Sequence, residues 1–216
     1  MSLYLKTIFF FIILFPSVTF GQKESLIAFG GSANSYRGEL SNYGTWSGGV
    51  QVGLIFNKKK KLSGSLQFGL GTVSGSDRSF ALQTNAGEPT PNTFTKTNFS
   101  FVNYAARFTF LRKSSFSAYV SQGIGFMRFN PKDEFGDNLI DQDTTRPPDE
   151  EYRNISLILP TSLGAVYLFE NGFGINLESC LMNTASDHID NIAQFGDSKA
   201  DNLLSTRLTL LIPFNR

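Results

Sequence analysis

Leu62, Ser63, Gly64, Ser65, Leu66, Gln67, Phe68, Gly69, Leu70, Gly71, Thr72 is a stretch that alternates with a period of two. Leu62, Leu66, Phe68 and Leu70 fall on one face of an extended chain, and Ser63, Ser65, Gln67, Gly69 and Gly71 on the other, because successive strand side chains point to opposite sides of a sheet. A helix cannot use that pattern. The polar face carries no Lys, Arg, Asp or Glu, which is unusual for a surface in bulk water and suits the narrow, wet interior of a membrane barrel.

The same unit repeats along the chain. Eight strands are predicted, over Ser25 to Tyr36, Thr45 to Phe56, Leu62 to Ser74, Asn98 to Leu111, Phe116 to Phe129, Tyr152 to Phe169, Phe173 to Asn183 and Asn202 to Phe214. Of the charged residues, only Arg107, Arg128, Arg153, Glu178 and Arg207 fall within these spans. A soluble sandwich or calyx needs charge on its outer face. The connections alternate between short turns (Asn57 to Lys61, Arg112 to Ser115, Glu170 to Gly172) and longer polar loops (Arg37 to Gly44, Gly75 to Thr97, Asn130 to Glu151, Thr184 to Asp201). That alternation is the layout of an all-β, eight-stranded antiparallel up-and-down transmembrane β-barrel in the outer membrane, with both termini periplasmic. Phe56, Phe110, Phe116, Phe169, Phe173 and Phe214 gather beside the short turns and Trp46 near the opposite rim, as rings that favour a membrane interface would. Two residues resist the scheme. Pro160 cannot donate to a ladder, which predicts a bulge or a broken pairing, and Gln122 falls on the lipid face, which predicts a register slip of one residue.

The chain has 216 residues, 17% of them charged, with 20 Gly and 22 Phe and a net charge of +1; soluble domains carry about 25% charged residues. Neither the charge balance nor any phosphate-binding, zinc or nucleotide motif points to nucleic acid or a cofactor. Residues 1–21 read as a secretory signal peptide, with Lys6, an apolar run from Thr7 to Phe15, and the cleavage signature Thr19, Phe20, Gly21. Residues 22–216 then form the barrel domain. The apolar run is too short for a helical anchor. Cys180 is the only cysteine, so no internal disulfide is expected, and it reads as a small packing residue on a strand face.

Several groups of residues together resemble a Bacteroidota outer-membrane β-barrel family, the one that includes the type IX secretion component PorG. They are Gly30, Gly31, Ser32 with Tyr36, Arg37, Gly38, Glu39, Leu40; Val73 to Asp77; Phe129, Asn130, Pro131, Lys132; Leu159, Pro160 with Gly164; and Thr184 to Asp190. The resemblance spans nearly the whole mature chain, though Glu39 stands where Asp is expected and His188 where an aromatic residue is. It implies an eight-stranded barrel associated with a periplasmic secretion assembly, hence a periplasmic protein partner in addition to outer-membrane lipid.

Three sets of residues are candidates for function. Arg107, Glu178, Arg207 and Gln67, with Gln51, Asn103 and Asn176, are predicted to face inward as a hydrogen-bonded plug, because eight strands enclose little beyond their own side chains; a conducting pore is the alternative. The basic turn Lys58, Lys59, Lys60, Lys61 would dock an acidic periplasmic partner. In the loops, Tyr36, Gly38, Glu39, Asp187 and Asp190 are the motif residues. Asn130 to Glu151 holds eight acidic and two basic residues, and Thr184 to Asp201 four and one. Such runs read as solvated loops, with divalent-cation binding through Asp187 and Asp190 as the sharper alternative. A lipid A enzyme built on His188 with Ser186, Asp187 and Asp190 is a further alternative, and a soluble ligand-binding calyx another. No catalytic, cofactor or metal residue is assigned.

Overall fold

Ser25 pairs with Phe214 and Arg37 with Asn202, so the first strand of the chain meets the last and the sheet has no free edge. The computed structural model describes residues 25–79, 89–196 and 199–214; the predicted signal peptide, along with Asn215 and Arg216, lies outside the described residues. The strands are β1 (Ser25–Gly38), β2 (Ser41–Asn42), β3 (Ser47–Phe56), β4 (Leu62–Ser76), β5 (Phe94–Arg112), β6 (Phe116–Lys132), β7 (Ile155–Leu168), β8 (Gly174–Thr184) and β9 (Asn202–Phe214). Each barrel strand is antiparallel to its chain neighbour. β2 is a two-residue stub on the end of β1. The result is a closed, up-and-down, eight-stranded barrel.

The alternation read from Leu62 to Thr72 sets inside and outside. Leu66, Phe68 and Leu70 stand out from the barrel at 40 to 48% exposure, while Ser65 and Asn103 point in and are buried. Phe29, Val52, Val102, Phe126 and Leu157 continue the apolar exterior around the ring. Among the described residues no helix is long and apolar enough to cross a membrane; this exterior is carried by strands.

The interior is filled, as a plug requires, but it is not polar throughout as the alternation alone predicts. It is layered. Toward the short turns, Leu26, Ile55, Tyr119, Val166 and Leu211 form an apolar floor. Toward the long loops, Tyr36, Val73, Phe99, Phe101, Met127, Phe129, Ile158, Cys180, Met182 and Leu203 form an apolar ceiling. The polar residues occupy the level between. β5 and β6 are apolar on both faces at their loop ends, so alternation alone does not say which face packs inward there.

Two local expectations change, and the broken pairing expected at Pro160 is found. Gln122 pairs with Thr161 without any slip, because its side-chain oxygen accepts a hydrogen bond from Thr161 Oγ1 at 2.8 Å on the outer face. Around Pro160 the β6–β7 ladder is interrupted, yet the same register resumes at Gly125 and Ile158; the missing N–H costs pairing and adds no extra residue. The irregularity in register lies at Thr109 and Leu111, beside a short turn. Strand limits also move: β5 begins at Phe94 and β6 ends at Lys132, while β7 begins only at Ile155.

Gly164 faces inward beneath the Tyr119 ring, and a Cβ there would run into the phenol. Gly164→Val should therefore cost about 1 to 3 kcal/mol by overpacking, read as a lower urea midpoint of the refolded barrel. Leu163→Val, one residue away on the exterior, should stay within about 0.5 kcal/mol; equal effects from both would contradict the inside-outside assignment.

Candidate functional site

The central level of the lumen is built from side chains of six strands. β9 contributes Arg207, whose Nη1 donates to Glu178 Oε1 on β8 at 2.9 Å and to Gln67 Oε1 on β4 at 2.8 Å. Arg207 Nε donates to Ser205 Oγ at 3.2 Å, and Ser205 in turn donates to Asn34 Oδ1 at 2.8 Å. Glu178 Oε2 accepts from the Tyr119 hydroxyl of β6 at 2.6 Å. Arg107 of β5 does not reach the carboxylate by hydrogen bond; its guanidinium lies 3.7 Å from the centre of the Tyr119 ring, a cation–π contact. Two guanidinium groups and one carboxylate are thus packed inside the ring, with the phenol between Arg107 and Glu178.

Of the residues singled out from sequence, Arg207, Glu178 and Gln67 touch directly, and Arg107 joins through Tyr119. Gln51, Asn103 and Asn176 are buried at the same level. Tyr119, Ser205 and Asn34 were missed. An inward tyrosine is identifiable by strand parity, but its hydroxyl partner is fixed only by barrel closure.

The long-loop end carries a second assembly, and here the reading of solvated loops is corrected. Residues 184–196 fold over the mouth: Ile189 and Ile192 are buried, Ile189 within the apolar ceiling. Apolar side chains among the acids pull the segment inward. Thr97 Oγ1 donates to the Ile189 carbonyl. Asn191, with φ of 68°, donates from Nδ2 to Thr145 Oγ1 at 2.9 Å and to Asn92 Oδ1 at 3.1 Å, while Asn92 Nδ2 donates to the Asp190 carbonyl at 2.9 Å. Three long connections are therefore tied together over the ceiling.

The motif residues Tyr36, Gly38, Glu39, Asp187 and Asp190 converge at this cap. Asp190 Oδ1 accepts from the Ile192 N–H at 3.1 Å and Oδ2 from the Leu40 N–H at 3.3 Å. Asp201, missed from sequence because it only looked like the lead-in to the last strand, accepts the Ile189 N–H at 2.9 Å. Burial, then the charge of Glu39, pushes the Asp190 carboxyl up to about 7. Burial followed by Asp190 raises Asp201 as well.

His188 goes elsewhere. Its Nε2 lies 3.0 Å from Glu150 Oε1 and its ring meets Tyr152 edge-on. Burial pushes its pKa below 6.5 despite Glu150. Ser186 Oγ accepts the backbone N–H of His188 at 3.2 Å, while Asp190 serves the cap. The proposed nucleophile, base and acid are thus engaged in separate contacts. At the opposite end, Arg112 donates to the carbonyls of Lys58, Lys59 and Lys60. Lys59, Lys60 and Lys61 are exposed. Lys61 Nζ sits 5.1 Å from the Phe108 ring, against the apolar belt and away from the turn tip.

Glu178→Ala would leave Arg207 buried without its partner, a loss of about 3 to 5 kcal/mol, measured as a lower urea midpoint. The variant and the wild type should both lack a large single-channel current in planar bilayers, and a large current from the wild type would contradict the filled lumen.

Neither a family model nor a curated protein sequence matches the chain. Solved structures do. Neisserial surface protein A aligns with a TM-score of 0.57 at 9% identity, over 88% of this chain and 97% of that one. Ail, the attachment invasion locus protein of Yersinia pestis, aligns at 0.53 and 11%, over 89% and 99%. The outer membrane enzyme PagL aligns at only 0.39 and 12%, over 88% and 99%, too distant to bear on chemistry. The chain has the fold of the small, closed, eight-stranded outer-membrane barrels.

Proposed function

We propose that this chain is a non-catalytic outer-membrane barrel that serves as an interaction component, with its short turns and both termini in the periplasm. The basic turn docks an acidic surface of a periplasmic partner, and the resemblance to the family of PorG makes a type IX-like secretion assembly the candidate setting. The observation that carries this reading is the construction of the turn. Arg112, reaching across from the neighbouring hairpin, holds three successive carbonyls of Lys58 to Lys60, which orders the backbone and leaves lysine side chains at the surface. Charge presented from a fixed backbone loses less freedom on binding than charge on a loose loop.

The remaining features agree with a platform. An exterior of Phe, Leu and Val suits acyl chains, and the three-layer filling of the lumen supports neither a conduit nor a calyx. For the lipid A enzyme, the ring of His188 is engaged by Glu150 rather than Ser186.

Replacing Lys58, Lys59, Lys60 and Lys61 together by Ser should abolish capture of a periplasmic protein by a photocrosslinker placed at Asn57 in native envelopes, and should leave the folded barrel's heat-modifiable mobility unchanged. Capture at wild-type level by the folded variant would overturn the docking role.

A further inference from the structure

The acidic side chains that the cap draws together have a geometry that loop closure alone does not explain. One carboxylate oxygen each from Glu39, Asp187 and Asp201 lies within 4.8 Å of the other two. They come from three places in the chain: the turn after β1, the loop across the mouth, and the residue before β9. Asp201 is wholly buried. Its Oδ2 is satisfied by the Ile189 N–H, but Oδ1 has no hydrogen-bond partner among the described residues. That oxygen is directed at the Gly38–Glu39 turn, so closely that a Cβ on Gly38 would run into it, with Asp190 Oδ2 at 2.8 Å from the same point. A glycine is thus what allows the carboxylates to approach the backbone here.

We propose that Glu39, Asp187 and Asp201 bind a hard divalent cation of the Ca²⁺ class, which clamps the mouth loop to the end of β1. All donors are carboxylate oxygens, with no thiolate or imidazole among them, and such a set selects Ca²⁺ or Mg²⁺ over softer metals. Ligands from three separate segments give the irregular, adaptable shell that Ca²⁺ accepts, whereas Mg²⁺ demands near-octahedral geometry and sheds its waters reluctantly. An orphaned buried oxygen in the midst of like charges is a costly arrangement that a cation relieves.

Protons compete for the same oxygens. The groups facing Asp201 and Asp190 are Tyr36 from β1, Glu39 from the turn and Asp187 from the loop, while Arg37 and Lys199 line the adjoining groove. A carboxylate binds a cation only in its deprotonated form, so the cation's stabilising effect is greater at pH 8 than at pH 5.5.

The test uses the mature barrel refolded in lipopolysaccharide-free detergent micelles after chelation, titrated with Tb³⁺ under tyrosine excitation, with Tyr36 beside the site as sensitiser. A saturable emission displaced by Ca²⁺ is expected, weakened at least about tenfold by Asp201→Asn. It should also be weakened by Asp187→Asn, which is less buried and serves if Asp201→Asn does not fold, and left unchanged by Asp149→Asn on the exposed loop. Ca²⁺ should raise the unfolding temperature by several degrees at pH 8 and by less at pH 5.5. No saturable emission up to millimolar Tb³⁺, or binding equal to wild type in a folded Asp187→Asn variant, overturns the site. A Ca²⁺ effect on unfolding that is larger at pH 5.5 would do so too. The lysine turn plays no part in this readout, so failure here leaves the docking role standing.

Discussion

Arg207 and Glu178 meet in the middle of the barrel with side chains exposed by only 1% and 3%, and neither charge can be kept there without the other. An unpaired ion at such a level costs several kcal/mol, so the strands that carry the pair, β8 and β9, must hold their register. Around that pair the rest of the lumen is arranged. Gln67 reaches in from β4, Tyr119 from β6 caps the second carboxylate oxygen, and Arg107 from β5 lies against the phenol. The apolar floor and ceiling then close the polar level off from both ends. An eight-stranded ring leaves space for side chains and little else; here that space is filled by a charged layer between two greasy ones.

With the lumen filled, chemistry and recognition move to the two rims, which are built differently. The short-turn rim presents lysines from a backbone held by Arg112. The long-loop rim turns acidic side chains inward, where Ile189 and Ile192 anchor the loop and Asp190 and Asp201 staple it through backbone N–H groups. The first arrangement suits a protein surface of opposite charge. In the second, the carboxylates are raised by burial and by one another and become responsive to protons and cations.

Much of the fold can be read from alternation because the side-chain period of a strand is two and the exterior of this barrel is apolar almost throughout. That reading is sharp for Leu62 to Thr72, where the faces differ completely. It blurs in β5 and β6, where Phe99, Phe101, Met127 and Phe129 point inward while Val102 and Phe126 point out, so the apolar ceiling was not legible. The lumen residues Arg107, Glu178, Arg207 and Gln67 stand out as rare polar groups in apolar strands, yet their partners depend on closure between β1 and β9. At the mouth, Glu39, Asp187 and Asp190 could be marked as motif residues, but Asp201 could not. Its importance arises from a fold-back of the chain that brings it against Gly38, far away in sequence, and the charge run concealed the two isoleucines that drive that fold-back.

The barrel's inside and outside are set by Phe68 and its neighbours facing acyl chains while Ser65 and Gln67 face the filled lumen. Placing a single tryptophan at this position, Phe68→Trp in a Trp46→Phe background, and reconstituting the barrel in vesicles that contain brominated phospholipid reports the contact directly. Strong quenching by the brominated chains, with iodide in the buffer ineffective, is the predicted result. Quenching by iodide and indifference to brominated lipid would place water against the apolar face and contradict the account.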